Sequence, residues 1–349
     1  MSSQDLPTEL PTIDICEIRP RTGRHQTINV AKFPKGERSD VYVPMYERAT
    51  GNRMSVPFIV ARGHKDGPVL GITAAVHGNE LNGIRIIHHV LRNVDLSSMS
   101  GTLLCVPIVN IPGFNAGSRY FTDGLDLNTV FPGKPDGQPA EQYARAFTSS
   151  FLPACDYLID LHTASEGRLN TFYVRTDWLN DKTRELAVCA NPAIILHSPK
   201  HGGGTLRNAA RRRGIPAITI EAGNPSVFQG KMVIEGEAAI QNIMILLGMV
   251  KGKIESSSKP VVCHSSKWLR TTGGGILETT FKLGEKLQKK HLVAITRDAF
   301  DRKLQEYYVP EEGIVIGKAA YPVAIPGTRF CHLGSIGEPS AGKPKKKQE

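Results

Sequence analysis

The chain has 349 residues, of which 40% are hydrophobic and 22% charged, and a formal net charge of +10. Such a length and balance predict a large globular domain with an appendage and exclude a disordered or fibrous chain. The longest apolar stretch, residues 238–250, is broken by Gln241 and Asn242 and is too short for a bilayer, the opening residues lack a secretory pattern, and the basic residues are spread without interleaved aromatics, so neither a membrane nor a nucleic-acid partner is expected.

Residues 1–25 are polar and punctuated by prolines, which predicts a flexible N-terminal extension. From Gln26 onward, Ile28-Asn-Val-Ala, Val41-Tyr-Val-Pro-Met-Tyr and Val56-Pro-Phe-Ile-Val-Ala read as successive strands. Residues 69–76 form a continuous apolar run, the mark of a strand covered on both faces, and it ends in His77-Gly-Asn-Glu80. Leu81, Ile84, Ile87, His88 and Leu91 then recur at helical spacing, so His77 and Glu80 stand at a strand-to-helix corner. A strand follows at 101–109. Residues 110–133 read as a long loop rich in Gly, Asn, Asp and Pro, and a loop of that length inside a compact domain is usually functional. After a helix over 140–151, Asp156-Tyr-Leu-Ile-Asp160-Leu-His162-Thr163 repeats the pattern of an apolar strand ending in polar groups.

The glycines of Gly202-Gly-Gly-Thr205 precede a basic helix over 206–213, but no Gly-Lys-Ser/Thr follows, so they are read as a turn and close packing. Residues 215–223 are another strand, ending in Glu221, and an amphipathic helix over 232–250 completes a catalytic α/β domain spanning 26–255. Strands alternating with helices predict a mixed, mostly parallel sheet flanked by helices on both faces. A Lys/Ser/Gly-rich linker at 251–259 leads to short β-like segments over 260–334, a small C-terminal β barrel or sandwich, and then to a basic disordered tail over 335–349. Six cysteines, Cys16 among them, lack Cys-x-x-Cys spacing and are expected as reduced, buried thiols of a cytoplasmic protein.

His77, Glu80, His162 and Glu221 each follow an apolar strand, so they can meet at one edge of one sheet, where ligands of open α/β sheets bind. Two imidazoles and a carboxylate form the ligand set of a catalytic zinc that keeps an open position for water. Glu221, a carboxylate apart from that set, suits proton transfer from water to a leaving amine, and Arg119 suits polarisation of the scissile carbonyl. Asp160 is a candidate for orienting the site. His88 and His89 read as packing or surface residues, His197 and His201 as weaker pocket candidates, and His264, His291 and His332 as structural.

These motifs, together with Asn-x-Pro-Gly-Phe at 110–114, Arg119 with Asp126-Leu-Asn128, Phe131-Pro-Gly133 and Glu221-Ala-Gly, resemble the succinylglutamate desuccinylase/aspartoacylase family in family order over about residues 60–335. That family belongs with the zinc carboxypeptidases in fold and mechanism. The resemblance implies one zinc per chain on His77, Glu80 and His162, Glu221 as general base and acid, Arg119 and Asn128 at a small N-acyl substrate, and a C-terminal β domain similar to a biotinyl-carrier barrel without its Met-Lys-Met. Where the family reads Asp-Leu-Asn-Arg, this chain has Thr129. Either Arg168, Arg175, Lys200 or Arg207 supplies the missing charge, or the substrate has no carboxylate there; Asn128, Thr129 and Arg175 are the substrate-binding candidates. The expected activity is therefore zinc-dependent deacylation of a small N-acylated amine or amino-acid derivative. A carboxypeptidase-type exopeptidase and a catalytically silent binding protein are the alternatives, and a homo-oligomer is left open.

Overall fold

The computed structural model describes residues 27–199, 203–256 and 259–340. The expected extension over 1–25, with Cys16, lies outside the described residues, as do Lys200, His201 and the part of the tail over 341–349.

The first two strands of the described residues, β1 (Glu37–Glu47) and β2 (Arg53–Arg62), pair antiparallel. A third strand was expected at Ile28, but Val30–Lys32 instead forms one 3-10 turn, capped when Asn29 Oδ1 accepts from Ala31 N. Next come β3 (Lys65–Ala74), α1 (Asn82–Asn93), β4 (Ser100–Val106), α2 (Ile111–Asn115), α3 (Pro139–Phe151), β5 (Tyr157–His162), β6 (Arg168–Asn170) and β7 (Phe172–Thr176). The α/β part closes with α4 (Asp181–Cys189), β8 (Ile194–His197), α5 (Leu206–Arg212), β9 (Ala217–Ala222) and α6 (Gly230–Leu246).

Helices cover both faces of the sheet because its strands are apolar on both. One core packs α1, α4 and α6 through Ile86, Ile87, Leu186, Ile240 and Ile243, and the other packs α3 and α5 through Tyr143, Phe147, Phe151 and Leu206. Neighbouring strands β4, β3, β5 and β9 are parallel, which sets the ends of β3, β5 and β9 side by side. The sheet as a whole is mixed, correcting the expectation of a mostly parallel one. β1, β2 and β4 pair antiparallel at one flank, and β7 turns against β9 on the other before β8 resumes parallel pairing.

The C-terminal part contains β10 (Val261–Arg270), β11 (Gly275–Thr279), β12 (Lys286–Leu287), β13 (Leu292–Arg297), β14 (Lys303–Tyr308), β15 (Gly313–Ala319), β16 (Val323–Ala324) and β17 (Arg329–Ile336). Among the described residues it is entirely β, and a four-stranded sheet of β14, β13, β11 and β16 packs its own core around Leu277, Val293, Phe330 and Leu333. It is joined to the rest edge to edge. β10 pairs parallel with β8, and β17, β15 and β12 follow, so one 13-stranded sheet runs through both parts; β6 also pairs with β15.

The five described cysteines are buried and unpaired, and burial pushes the Cys105 thiol up to about 12. Among the described residues no helix is long and apolar enough to cross a membrane.

Candidate metal centre and active-site cavity

β3 stops where Ala75 takes a positive φ of 49°, and the chain turns through His77, whose carbonyl accepts from Glu80 N at 3.0 Å, into α1. Asn82 pins that corner from behind, donating to Ala222 O at 2.8 Å and accepting from Gln229 N at 2.8 Å across the end of β9. Gly78 is needed for a different reason: a Cβ there would stand 2.0 Å from the carbonyl carbon of Gly113.

The geometry brings together one nitrogen from each histidine and both oxygens of Glu80. His77 Nδ1 lies 2.7 Å from Glu80 Oε1, His162 Nδ1 lies 3.0 Å from Glu80 Oε2, and the two Nδ1 atoms are 3.2 Å apart. All three residues are buried, Glu80 to 1% exposure. Each ring offers its far nitrogen to a carboxylate: His77 Nε2 meets Asp126 Oδ1 at 3.0 Å and His162 Nε2 meets Asp160 Oδ2 at 2.9 Å. Asp160 is fixed in turn by Thr73 Oγ1, which donates at 2.8 Å. These carboxylates favour protonation of Nε2 and so aim the Nδ1 lone pairs inward. Two such nitrogens beside a carboxylate need protons or a cation between them. Burial works against charge on both imidazoles, yet Glu80 beside His77 and Asp160 beside His162 raise both above the usual range. Burial likewise opposes charge on Glu80, but the two histidines hold its carboxyl well below the usual range. The nitrogen and oxygen donors fit a zinc ion, and among the described residues no other such cluster forms.

Beside this centre lies a cavity of about 200 Å³. Arg119 reaches it from the 110–133 segment, with Nη2 at 2.8 Å from Asp126 Oδ2 and Nη1 at 3.1 Å from Glu80 Oε1. Glu221, the next-to-last residue of β9, is the register partner of His162 on β5 and is 9% exposed. Its Oε1 accepts from Arg175 Nε at 2.9 Å and its Oε2 from Asn170 Nδ2 at 3.4 Å. Arg175 Nη2 also donates to Tyr173 Oη at 2.6 Å. Burial opposes the Arg175 charge, but Tyr173 and Glu221 raise its pKa above the ordinary guanidinium value.

The sequence-derived candidates are thus brought together, with one placed apart. His77, Glu80, His162, Arg119, Asn128, Arg175 and Glu221 all line the cavity. Asn128 Nδ2 lies 3.5 Å from His162 Nε2, while its Oδ1 accepts from Leu206 N at 3.0 Å. Thr129 is exposed, and its hydroxyl donates to Asp126 O at 2.7 Å. The 110–133 segment is more ordered than a loop: α2 is capped by Asn110, and a 3-10 turn over Leu127–Thr129 is capped by Asp126. The sequence reading did not single out Trp268 and took His332 as structural. Trp268 and His332, on paired strands β10 and β17, complete the cavity wall with their rings stacked 4.8 Å apart. His332 is therefore part of the cavity and not merely structural. Tyr173, which the sequence reading also missed, was findable, since a two-residue period puts it on the same face of β7 as the candidate Arg175.

Fold and site define an α/β protein that carries a buried His-Glu-His cluster able to hold a metal ion at the carboxyl ends of parallel strands. The model of the succinylglutamate desuccinylase/aspartoacylase catalytic domain matches residues 66–247, and the chain belongs to that family. Among curated relatives, it is 24% identical over 292 residues to the N-alpha-acetyl-L-2,4-diaminobutyric acid deacetylase of Halomonas elongata, covering 80% of this chain and 84% of that one. It is 30% identical over 184 residues to the succinylglutamate desuccinylase of Burkholderia lata, a match spanning 45% of this chain and 49% of the relative. A product-bound ectoine utilization protein from Ruegeria pomeroyi superposes with a TM-score of 0.78 at 23% identity, over 88% of this chain and 98% of that one, which shows the shared fold.

Proposed function

We propose that this protein hydrolyses the amide bond of a small N-acylated amine or amino-acid derivative, using one zinc ion held by His77, Glu80 and His162. The observation that carries the reading is the convergence of His77 Nδ1, His162 Nδ1 and the Glu80 carboxylate beside a cavity that also contains Glu221. The names of the relatives, a deacetylase and a desuccinylase, support the reaction class. A zinc ion held by His77, Glu80 and His162 would supply Lewis acidity for the carbonyl and would lower the pKa of water to about 7. Glu221 takes the proton of the attacking water and returns it to the amine nitrogen as the C–N bond breaks, leaving a carboxylate and a free amine. Arg119 donates to the carbonyl oxygen as negative charge develops on it. Arg175 and Asn170 hold the two oxygens of Glu221 in place. A cavity of about 200 Å³, walled by Trp268 and His332, suits a small molecule better than a peptide.

The test is metal analysis of protein purified without chelator, followed by turnover of N-acetyl and N-succinyl amino acids read by mass spectrometry. Near one zinc per chain is expected, with turnover lost on chelation, restored by zinc and abolished in Glu221→Gln. Full metal content in both His77→Ala and His162→Ala would refute the ligand assignment, and cleavage restricted to C-terminal peptide bonds would favour an exopeptidase.

A further inference from the structure

β10 leaves the α/β part along β8, and the chain comes back to it through β15. β6 pairs antiparallel with β15, setting Asn170 opposite Gly317 and Arg168 opposite Ala319, and Thr171, the one residue between β6 and β7, donates its N–H to Ile316 O at 3.0 Å. Residues 168–176, β8, β10, β17 and β15 therefore close into a ring, which packs a small core of Tyr173, Ile194, Leu196, Cys263, Ile314 and Ile316. One course of that ring, residues 168–176, carries Asn170 and Arg175, whose side chains hold Glu221.

The two holds differ in where they are anchored. Arg175 stands on β7, which pairs directly with β9, so its place beside Glu221 is fixed within the α/β part. Asn170 has its backbone placed by β15 and by Asn224 Oδ1, which accepts from Asn170 N at 3.3 Å. Its Nδ2 is 3.4 Å from Glu221 Oε2, near the outer limit of a hydrogen bond, so a small outward shift breaks the contact. Across the ladder stands Gly317. A Cβ there would lie 2.4 Å from Asn170 Oδ1 and 2.9 Å from Leu169 O, so the amide occupies its place only because position 317 has no side chain. The amide oxygen lies on the Gly317 side and the nitrogen on the Glu221 side; the reverse would set an acceptor against a carboxylate.

We infer that Asn170 is a positioning residue for Glu221 and that Gly317, from the C-terminal part, sets it, so that proton transfer is governed from β15 as well as from the α/β part. A carboxylate held by one oxygen still turns about its side-chain bond. Two holds fix its plane, and the plane decides which lone pair meets the proton. Losing the second hold should therefore show in kcat and not in KM. The role of Glu221 rests on the amide-hydrolase reading, but the link from Gly317 through Asn170 to the carboxylate can be tested without turnover.

Kinetics are measured on the full chain saturated with zinc, using N-acetyl and N-succinyl amino acids. Asn170→Ala and Gly317→Ala should each lower kcat by about 10-fold, with KM changed by less than about 2-fold and zinc content unchanged. The double variant should be no slower than Asn170→Ala alone, because the amide that the new methyl would strike is gone. An unchanged kcat in either single variant, or losses that multiply in the double variant, overturns the inference. If Gly317→Ala does not fold, Asn170→Ala carries the decision by the same criterion. The link itself is read from the nuclear magnetic resonance signals of the Asn170 side-chain amide in isotope-labelled protein, assigned by their loss in Asn170→Ala. They should move in Glu221→Gln and in Gly317→Ala but not in Gly230→Ala, and signals that ignore Glu221→Gln or Gly317→Ala overturn the link. Should no N-acyl compound be hydrolysed while the amide signals move as expected, the functional reading falls and the link from β15 to Glu221 remains.

Discussion

Arg175 on β7 holds Glu221 on the antiparallel neighbour β9, with Nε 2.9 Å from Oε1, while Tyr173 stands directly opposite Glu221 in the strand register. This arginine orients the carboxylate proposed as base. Its removal takes away the charged partner of Oε1 and leaves the carboxylate to neutral partners such as Asn170. Arg175→Met is expected to lower kcat by about 10- to 100-fold with KM less affected, as for a group that positions a proton-transfer residue. It should also cost about 1–3 kcal/mol of stability for the unpaired carboxylate. Metal content should stay unchanged, and steady-state kinetics, metal analysis and denaturant unfolding check the three parts separately.

Asp126 and Asp160 reach the histidines and not the proposed ion. Asp126→Asn and Asp160→Asn keep the shape of the side chain but lose the charge that fixes each ring. Their zinc affinity is expected to fall by about 10- to 100-fold, short of the complete loss expected from His77→Ala. Competition against a chromogenic chelator measures the difference, and an unchanged affinity in both variants would remove these carboxylates from the account.

Gly204 lies where the Asn128 arm meets the approach to α5, its carbonyl accepting from Phe131 N at 2.8 Å. A Cβ there would fall 1.6 Å from Thr129 O, a backbone atom unable to move without shifting Asn128. Gly204→Ala should lose about 2 kcal/mol or more of stability and most of the activity. Gly230→Ala is the control: a Cβ there meets nothing within 4 Å, at the first turn of α6, so it should be neutral or slightly stabilising.

His332 supplies the pH dependence. Burial, reinforced by Arg175, Arg168 and Arg329, lowers its pKa to about 3, against 6.5 for the exposed side chain. The unfolded chain therefore takes up a proton below pH 6.5 that the folded chain refuses, so this residue destabilises the fold progressively as pH falls from 6.5 toward 3. Relative to wild type, His332→Gln should gain about 1 kcal/mol between pH 7.5 and pH 5.5. Urea unfolding at the two pH values provides the comparison, and a difference independent of pH would show that the imidazole titrates normally.

The sequence showed the centre of the molecule more clearly than its flanks. Apolar runs ending in His77, His162 and Glu221 announced buried strands, and β3, β5 and β9 are indeed adjacent and parallel. Pair direction outside that centre was hidden, because β7 looks like any short apolar strand whether it lies parallel or antiparallel to β9. Ile28 carried strand propensity, yet the chain takes a 3-10 turn capped by Asn29. The cavity positions of Trp268 and His332 were hidden for a different reason: β10 and β17 are joined to the cavity by long-range pairing, and no local pattern records which face of a distant strand will close a wall.

The parallel pairing of Val261, Val262 and Cys263 with Ile194, Ile195 and Leu196 makes the last part of the chain a selvedge of the central sheet. A protein cut after residue 255 would lose two members of its cavity wall and would also bare the hydrogen-bonding edge of β8, an invitation to strand exchange between molecules. Recombining this family by swapping C-terminal parts therefore carries a matching constraint: a donor segment must stitch to β8 in the same register before its aromatic residues can confer a new substrate choice.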